Sequence, residues 1–168
     1  MQREPVKVYL GLGSNLGERQ DNLHRALDLL SERLRKGKVS SVYDTEPLGD
    51  VNQPRFLNQV CEVYTMLAPM DLLSLAKGIE LKVGRVPSKT NAPRTIDIDI
   101  LFYGDQVVDT PDLIIPHPRL TERAFVLVPL AEIAPELVHP IKRKTVKQLL
   151  ASVGGVQGVR KWDSNKGH

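Results

Sequence analysis

Asp97-Ile98-Asp99 is the strongest chemical signal in the chain. Aspartate is disfavoured in strands, yet these two stand two positions apart in the alternating run Thr95–Tyr103, so both carboxylates point to one side. Their Cα atoms are then only ~7 Å apart. Carboxylates held side by side repel, and one hard divalent cation, or a pair, is the usual reason to keep them so; a solvated outer strand face is the alternative. Oxygen ligands point to magnesium, and the single cysteine, Cys61, excludes a thiolate site. Arg85, Lys89 and Arg94 lie on the polar loop that leads into this strand. Metal plus arginines makes a polyphosphate site, because a guanidinium fork matches phosphate oxygens and metal ions neutralise the charge of phosphoryl transfer. Solvent-facing loop cations are the plainer reading. His117, between Pro116 and Pro118, can contact a phosphate or cap its own loop, and a lone histidine more often does the second.

The run Gly11-x-Gly13-x-x-x-Gly17 is close to the dinucleotide fingerprint G-x-G-x-x-G but one residue too long, and no G-x-x-x-x-G-K-[ST] occurs. ATP, if bound, is held without a P-loop, and Gly11 and Gly13 read first as turn formers. The loop Thr45–Asn58 combines Pro47, Gly49, Pro54, Phe56 and Asn58, and connections of that length tend to be functional. An aromatic face with an amide and loop backbone groups suits a planar heterocycle, although Phe56 and Phe125 read more often as core residues.

The elements around these residues form an order. Val6–Leu12 reads as a strand running into the glycine turn, and Leu23, Ala26, Leu27, Leu30 and Leu34 as one helical face stopped by Gly37. Val39–Thr45 and Phe56–Leu67 read as strands, and Pro69–Gly84 as a helix burying Leu72, Leu75 or Ala76, Ile79 and Val83. In Thr95–Tyr103, Ile96, Ile98, Ile100 and Phe102 share one face and Asp97, Asp99 and Leu101 the other. The order β-α-β-β-α-β predicts an α+β, ferredoxin-like antiparallel sheet with both helices on one side, followed by C-terminal additions. Those are a hairpin-like Gln106–Asp109, a loop Pro116–Arg123, an apolar run Phe125–Ile133, an amphipathic turn near Val146–Ser152, and a tail expected to be flexible after about residue 161. At 168 residues, 41% hydrophobic and 26% charged, residues 1–168 read as one domain able to fold without disulfides. No leader and no apolar run near 18 residues occurs, so the expectation is a cytoplasmic protein without a membrane span. A net charge of 23 − 20 = +3 is too mild to suggest nucleic acid, and Lys142, Arg143, Lys144 and Lys147 read as a solvated surface.

Several separated motifs, in order, resemble 6-hydroxymethyl-7,8-dihydropterin pyrophosphokinase of folate biosynthesis. They are Gly13-Ser14-Asn15-Leu16-Gly17, Tyr43 to Gly49, Gln53 to Asn58, Ile79-Glu80, Gly84-Arg85, Pro93 to Leu101, Pro116 to Leu120 and Arg123 to Leu127. The resemblance implies that ATP donates its β,γ-pyrophosphoryl group to the pterin hydroxymethyl, leaving AMP. It implies two Mg²⁺ ions on Asp97 and Asp99. By the same resemblance Phe56 and Phe125 sandwich the pterin, Asn58 bonds its edge with help near Thr45 and Leu48, and Arg85, Arg94, His117 and Arg123 contact the phosphates, with Glu80 in the same ATP-side cluster. Arg85–Arg94 is then expected to be mobile without ligand and to order over the triphosphate. The sequence departs from the pattern at Thr90-Asn91-Ala92, where many members have Arg-Trp-Gly; the only tryptophan here is Trp162, in the tail. Lys77 replaces a common glutamine. The partners expected are these two small molecules, neither nucleic acid nor membrane, with a monomer as the default. An RNA-binding sheet is the rival from another class, but aromatics are only 5% and Asp97 and Asp99 occupy the face that would need rings. A metal-dependent phosphohydrolase on the same residues is the second rival.

Overall fold

The computed structural model describes residues 4–45, 55–84 and 95–162. Strand β1 (Val6–Ser14) buries Val8, Leu10 and Leu12 on one face, and its period of two continues through Gly13. The strand therefore includes both glycines that spacing alone assigns to a turn. The turn comes later, at Gly17, whose φ of 71° is the left-handed conformation that glycine adopts without a Cβ penalty.

Helix α1 (Arg19–Ser31) buries Leu23, Ala26 and Leu30. It ends before Leu34, which joins the same core from the following turn and so extends the apolar period beyond the helix. Gly37 is not its stop signal. It lies inside strand β2 (Arg35–Val39), where a Cβ would come within 2.5 Å of Glu62 Oε1. The single strand expected over Val39–Thr45 is two, β2 and β3 (Tyr43–Thr45), parted at Ser40. There side chains take over part of the ladder: the Ser40 N–H still donates to Val60 O at 2.8 Å, but the Val60 N–H donates to Ser40 Oγ at 2.9 Å and Gln59 Nε2 to the Ser40 carbonyl at 2.8 Å.

Strand β4 (Phe56–Thr65) and helix α2 (Pro69–Gly84) fall where the sequence places them, α2 burying Leu72, Ala76, Ile79 and Val83. After β5 (Asp97–Tyr103) come the two-residue strands β6 (Val108–Asp109) and β7 (Ile114–Ile115), helices α3 (Ala124–Ile133) and α4 (Val146–Ser152), and strand β8 (Val159–Lys161). The main sheet is antiparallel, ordered β5-β1-β4-β3-β8, with β2 also on β4.

One face of the sheet packs Leu10, Leu57, Cys61, Ile98 and Ile100 against Leu23 and Leu30 of α1 and Leu72 and Ala76 of α2. The other packs Tyr9, Val60, Leu101 and Phe102 against Leu127 and Leu130 of α3 and Val146 and Leu149 of α4. Phe102 is thus on the face opposite to the one its alternation predicts. The register skips between Tyr9↔Phe102 and Leu10↔Ile100, and the extra residue, Leu101, lets Leu101 and Phe102 both face α3 while Tyr103 turns to the α1 side. Helix α3 is apolar nearly all round, packing on the sheet and on α4, and Glu132 near its end accepts hydrogen bonds from the Ser41 N–H at 3.0 Å and the Tyr43 hydroxyl at 2.7 Å. Among the described residues no helix is long and apolar enough to cross a membrane.

Candidate active site

Between α3 and the exposed half of that second sheet face lies a cavity of about 340 Å³, lined by Gly11, Gly13, Thr45, Phe56, Asn58, Asp97, Asp99, Arg123 and Phe125 among others. Strand register explains the meeting. Gly13 pairs with Asn58 on one side and Asp97 on the other, and Gly11 pairs with Asp99. The two glycines leave a flat floor between the carboxylates and the amide. A Cβ on Gly13 would stand 2.8 Å from Asn58 Oδ1, and one on Gly11 3.4 Å from Leu101.

The amide end of the cavity is held by neighbours. Asn58, 8% exposed, donates from Nδ2 to Thr45 Oγ1 at 2.7 Å, and Thr45 pairs directly with Phe56 across β3 and β4. Phe56 and Phe125 reach the cavity from separate elements, a strand and the first turn of α3, and both are half-buried. The Arg123 guanidinium lies 5.4 Å from the centre of the Phe125 ring. At the other end Asp99 is exposed and Asp97 half-buried.

His117 stands beside this acidic end without lining the cavity. Its backbone N–H donates to Leu101 O at 3.1 Å and its Nδ1 accepts from the Arg119 N–H at 3.2 Å, which assigns the proton of the neutral ring to Nε2. Burial, with Arg123 and Arg119 nearby, holds its pKa below the usual range against the opposing pull of Asp99. The loop-capping role is therefore visible, and a protonated Nε2 remains to donate. Glu80 does not line the cavity. It sits on α2 behind the sheet's edge strand, accepting from the Ile98 N–H at 2.8 Å, between the two aspartates, and pairing with Lys77 at 3.4 Å. Leu48, Arg85 and Arg94 lie outside the described residues, as does the loop on which closure was expected. Cys61 is fully buried on the opposite face with its thiol pushed up to about 12, so it is no nucleophile.

Metal fit can be judged from the donors. Two carboxylates share one face at a cavity wall, and among the described residues no group of three His, Cys, Asp or Glu side chains gathers to hold an ion. That suits magnesium, which keeps water and substrate phosphates as its other ligands rather than a full protein cage.

Residues 9–135, including every described residue of this cavity, match the family 7,8-dihydro-6-hydroxymethylpterin-pyrophosphokinase (HPPK). The chain belongs to the HPPK family. It is 46% identical over 149 residues to the 2-amino-4-hydroxy-6-hydroxymethyldihydropteridine pyrophosphokinase of Pseudomonas aeruginosa, covering 87% of this chain and 91% of the relative. The enzyme of the same name from Bacillus subtilis is 40% identical over 162 residues, covering 95% and 92%. The crystal structure of Plasmodium falciparum HPPK-DHPS superimposes with a TM-score of 0.72 at 18% identity over 90% of this chain; the chain spans 45% of that longer protein, and the likeness is one of fold.

At this candidate site, sequence reasoning missed the floor made by Gly11 and Gly13 and the contribution of Val60, Leu101 and Val126. Strand parity was the available signal, since Gly11 and Gly13 are two apart like Asp97 and Asp99. It also missed Glu132 as the tie between α3 and the β2–β3 break, which no local pattern announces.

Proposed function

We infer that this chain transfers the β,γ-pyrophosphoryl group of ATP to the hydroxymethyl group of 6-hydroxymethyl-7,8-dihydropterin, giving AMP and the pterin diphosphate for folate biosynthesis. The single observation that carries the placement of this reaction is the register Asn58–Gly13–Asp97, which sets a heterocycle-binding amide and a carboxylate pair on one flat floor. The strand order, with β2 and β3 together serving as the second strand of the motif, supports reading the sheet and the α1–α2 layer as ferredoxin-like.

Phe56 and Phe125 are the two faces between which the pterin stacks, worth about 0.5–1.5 kcal/mol per aromatic pair beyond area burial. Asn58 and Thr45 bond the ring edge, a task the family pattern also assigns to backbone groups near Leu48. Asp97 and Asp99 would hold two magnesium ions, which when bound neutralise triphosphate charge and ease deprotonation of the attacking hydroxyl. Arg123, at the cavity wall, and the Nε2–H of His117, beside its acidic end, would donate to phosphate oxygens, and Arg85 and Arg94 are assigned the same task by the family pattern. Glu80 supports the ATP side through the backbone: it holds the strand edge between Asp97 and Asp99. The pterin hydroxyl oxygen attacks the β-phosphorus, the bond from that phosphorus to the α,β-bridging oxygen breaks, AMP leaves, and the hydroxyl proton passes to water. This chain's contribution is orientation and charge, the usual resources of phosphoryl transfer. A monomer in the cytoplasm suits these small-molecule partners.

Product analysis tests the reading. AMP and pterin diphosphate should form one for one, and only when pterin is present. ADP as the product, or AMP released equally without pterin, would assign the site to a different phosphotransfer or to hydrolysis.

A further inference from the structure

We propose that the C-terminal segment Val159–Trp162, beyond the stretch that matches the family, is a positioning element for the pterin-binding wall; this rests on the pocket reading above. Strand β8 pairs with all of β3, Val159 standing opposite Thr45 and Lys161 opposite Tyr43. Thr45, the partner of Asn58, therefore gains its outer neighbour from residues more than a hundred positions away. Beyond the strand, the Trp162 N–H donates to Val42 O at 2.8 Å and its indole Nε1 to Gln20 Oε1 at 3.2 Å.

Trp162 in turn carries Arg19, whose guanidinium lies 5.5 Å from the centre of the indole. Arg19 donates from Nη1 to the carbonyl of Arg55 at 2.6 Å, the peptide that leads into Phe56, and Arg55 itself bonds Asp44 at 2.7 Å, next to Thr45. A cation in the first turn of a helix opposes the macrodipole, so Arg19 is not placed there for α1's sake. Its position makes sense as a strut between the indole and the start of β4. The other wall is reached as well: Lys161 lies close enough to lower the pKa of Glu132, together with the hydrogen bonds Tyr43 and Ser41 donate to that carboxylate against its burial, and Glu132 fixes the helix that bears Phe125. Tail, strand and strut thus act on Thr45 of β3 and Phe56 and Asn58 of β4, while the carboxylate end of the cavity lies on β5, beyond β1.

The expected effect is selective. In the full-length chain, Trp162→Ala and Arg19→Ala should each raise the KM for the pterin about fivefold, the equilibrium worth of a partly exposed cation–aromatic contact. The KM for ATP and kcat should stay within about twofold. Because the two act through one another, the double variant should be no worse than the poorer single one. Trp162→Phe, which keeps a ring under Arg19, should recover most of the loss. Should Trp162→Ala fail to fold, Arg19→Ala decides alone. Unchanged pterin KM in both variants, or pterin and ATP KM rising in step, overturns the proposal. Asn58→Ala run in parallel separates the two readings: if it raises the pterin KM while Trp162→Ala and Arg19→Ala do not, only the brace is lost. If it leaves the pterin KM unmoved, the pocket reading falls and the brace with it.

Discussion

Two aspartates in the first three residues of a strand stand out because the local rule they break needs a reason, and that made the acidic end of the candidate site legible from sequence. The glycines opposite them were misread, since G-x-G spacing fits both a turn and the bare face of a strand, and only pairing with β4 and β5 decides between them. Gly13→Ala isolates this point. A strand alanine gains about 0.5–1 kcal/mol of backbone entropy over glycine, so thermal stability should hardly fall. Its methyl nevertheless needs the space of Asn58 Oδ1, and a displaced amide should raise the pterin KM about tenfold or more. Steady-state kinetics beside a thermal melt would show whether the two effects separate; equal loss of stability and binding would mean that the floor is structural. Asn58→Ala should weaken pterin binding by about 1–3 kcal/mol by leaving ring polar groups unpaired, with calorimetric ATP affinity unchanged. At the acidic end, Asp97→Asn or Asp99→Asn should cut kcat by orders of magnitude at saturating magnesium with circular dichroism unaltered. Near-normal turnover would remove the carboxylates from the mechanism.

Helix α2 and strands β4 and β5 were readable almost to their ends because each carries a full apolar period bounded by Pro, Gly or polar residues. What failed were the interruptions. The break at Ser40 and the extra residue at Leu101 arise from neighbours on β4 and β1, and a period of two cannot announce a bulge before its partner is known. Helix α3 was legible only as an apolar run, since a helix buried on most sides has no polar face to show its 3.6 period. Helix α4 shows the opposite case, a short element fixed by its end. Thr145 Oγ1 accepts from the Gln148 N–H at 3.1 Å while Gln148 Oε1 accepts from the Thr145 N–H at 2.8 Å. Thr145→Ala should lower stability by about 1 kcal/mol in urea unfolding and leave kcat untouched, because α4 packs on α3 without contributing a residue to the cavity lining. A matching drop in activity would tie α4 to the site more directly.

For the molecule as a whole, four of the described groups make stability fall on the acid side: His117, His139, Glu62 and Glu132. Buried His139 takes the Ile141 and Lys142 N–H groups on Nδ1, and burial with Lys142 nearby lowers its pKa. The stability it confers is present above the unfolded value of about 6.5 and declines as pH falls from there toward the folded value. Glu62 and Glu132 are the second stage. Burial pushes both upward, but the hydrogen bonds they accept, from Tyr9, Lys38 and Tyr64 in one case and from Tyr43 and Ser41 in the other, outweigh it, helped by Lys7 and Lys161. Their folded pKa values are depressed, so their contribution is complete above about 4.3 and disappears as pH falls through the folded values. Urea midpoints followed downward from neutral pH should therefore decline in two steps, the first reduced in His139→Gln, with His117 supplying the remainder, and the second reduced in Glu62→Gln. A flat profile from pH 7 to about 4 would contradict the assignment for His139. The same long-range order that hid the C-terminal strand from sequence reading, with Trp162 and Gln20 142 positions apart, also leaves the protein a built-in optical probe. The chain has one indole, so selectively excited emission reports a single address, the seat between Gln20 and Arg19. Release of that seat will register as a spectral change even where the backbone signal of helices and sheet stays constant.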